Sequence, residues 1–266
     1  DSPFRGKFDA RFFYQAAAQE EALARLHFLV EDHRTLGLLL GESGSGKTTL
    51  LEVLARELGP IGRQQALISL VGIGPHELLW LCCAALGAEV LPGASRFSLM
   101  RALVDHIAAN RYQQIATTLL LDDADLASGE VLDQVLRLSQ LDTQCDGLLS
   151  TVLAAQPDRL HRLGTGLLEL ADLRIDIEPW EADDTATFIK QALTAAGRST
   201  PVFSDAALAR LHALSEGVPR RVKQLADLAL LAGAGNNLVQ IESDTLEAVY
   251  HELAVVRSGP SIELVR

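Results

Sequence analysis

Two kinds of apolar pattern alternate along the first two-thirds of the chain. Segments 35–40, 65–71, 117–121 and 148–154 are short, almost unbroken apolar runs, and they read as buried strands. Segment 173–177 alternates with a period of two, a last short strand. Between them lie segments of helical spacing. In 19–30 Leu23, Leu26 and Val30 share a face; in 49–58 Leu50, Val53, Leu54 and Leu58 do; in 97–109 Leu99, Leu103 and Ile107 do. Gly59-Pro60 stops the second of these helices. Pro75 opens a further helix that Gly87 closes, and 130–138 is another. Strands alternating with helices predict an α/β fold, a parallel sheet with helices on both faces. Beyond Pro179 only helical spacing remains, over about 183–195, 204–214, 219–231 and 244–253, with Asp244 and Glu247 spaced as a capping box. The expected organisation is therefore an α/β domain over 1–178, a small all-helical domain over 179–256, and a patternless tail over 257–266.

The stretch Gly41-Glu42-Ser43-Gly44-Ser45-Gly46-Lys47-Thr48 fits G-x-x-x-x-G-K-[ST], the P-loop or Walker A motif, and it stands between a predicted strand and a predicted helix. A triphosphate needs several N–H donors at close range. Gly41, Gly44 and Gly46 keep side chains out of the way, and the helix that follows turns unpaired N–H groups toward the anion. Lys47 is expected at the β- and γ-phosphates of ATP. The Thr48 hydroxyl is expected on Mg²⁺, with Thr49 completing the binding stretch.

A second polar group follows the strand Thr117-Thr-Leu-Leu-Leu121, which ends in Asp122-Asp123. Ligands in open α/β sheets bind at the carboxyl ends of the strands. This placement reads as a Walker B motif, in which Asp122 holds Mg²⁺ and Asp123 orients and polarises the attacking water. The competing reading of Asp122-Asp123-Ala-Asp125 is a solvated acidic turn. Gln156 ends the next strand, either touching the γ-phosphate or the lytic water, or serving as a turn residue before Pro157.

Composition narrows the class. With 48% hydrophobic residues in 266, a sizeable core is available; with 5% aromatic, it is a Leu/Ala/Val core. The formal charge of −12 argues against a broad nucleic-acid-binding face, since phosphate affinity comes from Lys and Arg. Cys82, Cys83 and Cys145 lack metal-ligand spacing and are expected to be reduced core or loop thiols. No signal peptide is visible, the start at Asp1 without a Met is expected to be a trimmed one, and the longest apolar stretch, 78–88, is about half the ~20 residues that span a bilayer. These features point to a cytoplasmic location; a place at the inner face of the membrane would come through a partner.

Taken together, Walker A, the Asp-Asp Walker B, Gln156-Pro157-Asp158 after the next strand, and Gly217-Val-Pro-Arg220-Arg221 in the helical tail resemble the AAA+ superfamily. Within it the chain is similar to the ATPases of the general secretion pathway protein A (ExeA-type) family. That similarity includes Phe8-Asp-Ala-Arg-Phe-Phe-Tyr14, Ala155-Gln-Pro-Asp-Arg-Leu160 and Pro219-Arg-Arg-Val-Lys-Gln-Leu225. The resemblance implies a P-loop NTPase sheet followed by a helical AAA+ lid, ATP and Mg²⁺ as ligands, and a homo-oligomer joined through the nucleotide site. It implies that Arg220 is a sensor-2 arginine reaching the γ-phosphate, against a plain surface residue. It also makes Arg174, at the start of the last strand, a candidate arginine finger, against a solvated strand residue; Arg162 and Arg159 are rivals. The family has Asp-Glu in Walker B. Asp123 is one methylene shorter, which suits slow hydrolysis and a switch rather than a motor. Secretion members also carry a membrane helix and a periplasmic domain, neither of which is read in these residues.

Three functions follow. The first is a self-assembling ATPase that acts as a switch or remodeller near secretion or envelope machinery. The second is a DNA-transposition or DNA-loading helper, which the acidic charge opposes although Arg220, Arg221 and Lys223 form a small basic cluster. The third is a nucleotide-sensing scaffold with little turnover, which single-turnover hydrolysis would separate from the first.

Overall fold

A computed structural model describes residues 4, 14, 16–142, 148–198 and 200–257. Cys145, most of the aromatic leader (8–13) and the tail beyond 257 lie outside the described residues. The described chain divides into two units, one of residues 19–178 and one formed by 179–266 with 1–18.

In the first unit the order is α1 (Ala17–Glu31), β1 (Leu36–Leu40), α2 (Lys47–Leu58), β2 (Gln64–Ser69), α3 (Pro75–Leu86), α4 (Arg96–Tyr112), β3 (Thr117–Asp122), α5 (Gly129–Ser139), β4 (Leu149–Ala155), α6 (Thr165–Leu170) and β5 (Leu173–Asp176). All five strands are parallel, in the order β2-β3-β4-β1-β5. The P-loop strand β1 is therefore an inner strand, flanked by β4 and β5. The apolar runs are unbroken because both sheet faces are covered. Leu36, Leu38, Leu40, Leu119, Leu121 and Leu153 face a core shared with α3, α4 and α5, whereas Leu39, Leu120, Val152 and Ile175 face α1 and α2. Gly37 lets α1 pack closely on β1: a Cβ there would stand 2.0 Å from Leu29 Cδ1, which would have to shift.

Two local elements escaped the periodicity. A 3₁₀ segment, Pro157–Leu163, and the six-residue helix α6 fill the stretch between β4 and β5. Both are too short for a 3.6-residue repeat to register.

The second unit holds α7 (Ala182–Ala195), α8 (Asp205–Ser215), α9 (Pro219–Gly235) and α10 (Ser243–Arg257). The capping box is at α7, where Glu181 and Asp184 exchange side chain-to-backbone bonds. Asp244 instead lies inside the first turn of α10, so the expected box at Asp244–Glu247 is not the cap of that helix. Phe4, Tyr14 and Ala16, assigned by sequence to the α/β domain, belong to this helical core. Tyr14 packs edge-on to Trp180 at 5.4 Å, and its hydroxyl donates to Asp184 at 3.1 Å.

Candidate functional site

The P-loop runs from the end of β1 into α2, and its backbone takes the shape that the glycines permit. Gly44 and Gly46 have φ of 92° and 104°, the left-handed region that costs an L side chain. Gly41 is closed to a side chain for another reason: a Cβ there would meet Ser45 Oγ at 2.4 Å. Gly46 is the N-cap of α2 and gives it no side-chain cap, so the first-turn N–H groups of α2 are left to an external acceptor. Glu42 and Ser43 are exposed on the outside of the loop, Ser45 is buried beneath it, and Thr49 is half-buried in the first turn of the helix.

Lys47 is buried. Its Nζ donates to the carbonyls of Gly41 at 2.7 Å and Glu42 at 3.0 Å, which holds the ammonium under the loop. Thr48 Oγ1 donates to Asp122 Oδ2 at 2.5 Å, although the two residues are 74 apart in sequence. The Walker A hydroxyl and the carboxylate at the end of β3 thus converge on one point. A hard divalent cation takes such oxygen ligands and is completed by phosphate oxygens and water. The residues present fit Mg²⁺ together with a triphosphate.

The ends of four strands meet around this point, β1 with β4 and β3 with β2. Gly41 N–H donates to Ala155 O at 3.3 Å, joining the P-loop to the end of β4. Asp122 Oδ1 accepts Asp123 N–H at 2.9 Å. Asp123 itself sits in the left-handed region, φ 55° and ψ 38°, a conformation that Asp tolerates better than most side chains. This turn points the chain away from the sheet and leaves the Asp123 carboxyl within 3.4 Å of Ser69 Oγ, at the end of β2. Burial pushes the Asp123 carboxyl above the usual aspartate range. The neighbouring Asp122 and then Asp125 add to this, while the Ser69 hydrogen bond and Lys47 act against it.

A family model for the AAA domain matches residues 30–163, from the end of α1 through the 3₁₀ segment after β4. The chain belongs to the AAA domain family. This AAA chain is 29% identical over 261 residues to General secretion pathway protein A of Aeromonas hydrophila, covering 97% of the chain and 48% of that protein. It spans about half the length of that curated relative. Two solved structures share the fold. One is Cdc6p from Pyrobaculum aerophilum, with TM-score 0.70 and 19% identity over 96% of this chain and 75% of that one. The other is the Thermotoga maritima RuvB Holliday junction branch migration motor, with TM-score 0.60 and 18% identity over 96% and 74%. The resemblance read from the motifs is thus borne out in family and fold.

Within the AAA chain, the P-loop residues, Asp122, Asp123 and Gln156 all gather at the carboxyl ends of β1, β3 and β4. Gln156 follows β4 directly and is half-buried. Arg174 is the second residue of β5, opposite Leu38 in the middle of β1. Its guanidinium is held by Asp176, with Nε to Oδ2 and Nη2 to Oδ1 both at 2.9 Å. Arg220 opens α9 in the helical unit, one residue after Pro219.

Asp125 was missed as a component of the site. The solvated-turn reading fails for it: Asp125 is 1% exposed. Its Oδ1 accepts the backbone N–H of Gln156 at 3.3 Å, and Arg159 Nη1 stands 3.7 Å from Oδ2. The sequence signal was a third aspartate two residues after the Walker B pair, but nothing local said that it turns inward. Among the described residues no group of three His, Cys, Asp or Glu could hold a metal by itself, and no helix is long and apolar enough to cross a membrane.

Proposed function

We propose that the chain binds MgATP and hydrolyses it slowly, assembling with itself as a nucleotide-driven switch that acts on a protein partner. The observation that carries this reading is the meeting of Thr48 Oγ1 and Asp122 Oδ2 directly beside the P-loop lysine. Lys47 would leave the loop carbonyls for the β- and γ-phosphate oxygens, which are stronger acceptors because they are charged. Thr48 and Asp122 would hold Mg²⁺, which when bound neutralises charge on the β- and γ-phosphates. Asp123 would accept the proton of the attacking water. Its place directly after Asp122 supports that role, and its short side chain supports a slow rate. Gln156, fixed through its backbone by Asp125, would orient the water or the γ-phosphate.

Self-assembly would supply a further cation. An arginine from a neighbouring copy can raise phosphoryl-transfer rates by roughly 10³ or more. Arg174 is engaged by Asp176 and Arg159 faces Asp125, whereas Arg162 is exposed in the same 3₁₀ segment as Arg159. We assign the finger to Arg162. The sensor role of Arg220 rests on the family resemblance. A place near secretion or envelope machinery rests on the similarity to General secretion pathway protein A. A DNA-helper role has less support. Besides the net charge of −12, Arg221 pairs with Glu216 and Lys223 lies over the Phe188 ring, which breaks up the basic cluster.

The test is ATP binding and single-turnover hydrolysis by wild type and Lys47→Ala. Wild type is expected to bind and to turn over slowly; Lys47→Ala is expected to lose binding. Equal affinity in the two would place the nucleotide elsewhere. Binding without a single turnover would leave a nucleotide-sensing scaffold.

A further inference from the structure

Helix α4 carries two apolar stripes. One, Leu99, Leu103 and Ile107, is buried in the sheet core. The other presents Phe97 and Val104, which are exposed at i and i+7, with Met100 at i+3 buried between them at the edge of the same core. Together with Leu141, beyond the end of α5, these three form the floor of a groove of about 700 Å³. Phe97 is 77% exposed there, an unusual position for a large aromatic side chain.

The rim has one sign of charge. Arg96, Arg101 and Arg137 are the ionisable residues that line the groove, in a chain whose net charge is −12. Arg96 is anchored by Gln134 Oε1 at 2.7 Å. Arg101 has only a loose contact with Asp105, at 3.8 Å with both side chains more than 70% exposed, which is worth little in water. Arg137 projects from an exposed position on α5. An apolar floor bordered by arginines matches a ligand with the opposite arrangement.

We propose that this groove docks an amphipathic helix of a partner protein, with large aliphatic residues on one face and acidic residues on its flanks. Such a helix would place anchors at i, i+3 or i+4, and i+7 along Phe97, Met100 and Val104, and its carboxylates would meet Arg101 and Arg137. The proposal stands on the groove alone and does not depend on nucleotide chemistry.

The probes are two fluorescent helical peptides of about 18 residues, one with leucines on one face and glutamates on the flanks, the other identical but with lysines for the glutamates. Anisotropy titrations with the full chain are expected to show saturable binding of the acidic peptide and roughly tenfold or weaker binding of the basic one. Phe97→Ala should weaken the acidic peptide by a similar factor. Arg101→Glu combined with Arg137→Glu should reverse the preference, and because that variant gains a ligand, misfolding cannot imitate the result. No saturation by the acidic peptide, equal affinity for both peptides, or an unreversed preference would overturn the proposal. So would displacement of the acidic peptide by duplex DNA with a steep salt dependence, which would give the groove to nucleic acid. Self-association that the charge reversal abolishes and the peptide does not compete with would give it to a second copy of the chain.

Discussion

At the scale of single residues, the two carboxylates after Asp122 divide into different roles. Asp123 is near the proposed reacting atoms and lies in the left-handed region, which Asn also tolerates. Asp123→Asn should therefore leave the backbone and ATP affinity unchanged while turnover falls by about 10² or more, as loss of a general base does. Single-turnover rates beside equilibrium ATP binding check this; a wild-type rate would remove Asp123 from the chemistry. Asp125 acts at one remove, since it holds Gln156 N–H and faces Arg159 from a fully buried position. Asp125→Ala leaves the part-buried N–H of Gln156 without its acceptor and should cost about 1 kcal/mol of stability in denaturant unfolding. Asp125→Asn keeps an acceptor oxygen, so it should recover most of that stability but lower the hydrolysis rate more than ATP affinity. If Asp125→Asn hydrolyses at the wild-type rate, the carboxylate only supports the turn.

At the scale of elements, the junctions between helices depend on backbone shapes that only some residues take. Gly217 joins α8 to α9 with φ 68°, and a Cβ on it would lie 2.2 Å from the carbonyl oxygen of Trp180. The same two residues share a backbone hydrogen bond, Trp180 N–H to Gly217 O at 2.9 Å, so neither can retreat cheaply. Gly217→Ala should therefore destabilise the helical unit by at least about 1–3 kcal/mol, the scale of an unfavourable φ before any steric cost is added. A lower denaturant midpoint in far-UV circular dichroism is the expected reading; an unshifted midpoint would show that the turn can open without loss.

At the scale of the whole molecule, the question is whether one chain completes its own site. The proposed finger makes activity a property of the assembly. Specific activity should rise with protein concentration, and sedimentation in ATP should show a species larger than the monomer. Arg162→Ala should bind ATP normally and hydrolyse poorly. Mixed with Lys47→Ala it should regain activity, since the first variant keeps an intact P-loop and the second still offers the arginine. Monomer alone, with activity per mole independent of concentration, would end the trans mechanism; an oligomer that mixing does not rescue would return the finger to Arg174.

Much of this protein is written locally and could be read from the chain. Strands and helices follow from spacing, because burial repeats along a strand or a helix face. The phosphate loop follows from residue chemistry, because only bare backbone, a lysine and a hydroxyl at that spacing suit a triphosphate. What the tertiary structure decided are relations between distant segments. The order β2-β3-β4-β1-β5 comes from hydrogen bonds between strands that no local pattern encodes. Tyr14 joins the helical core because its ring meets Trp180, 166 residues later. Asp125 is buried because β4 ends where the backbone N–H of Gln156 meets its carboxylate. Among the described residues, Phe97 and Val104 of α4 stay exposed while Leu99, Leu103 and Ile107 are packed. Periodicity tells that a face is apolar; only the packed chain decides what, if anything, covers it.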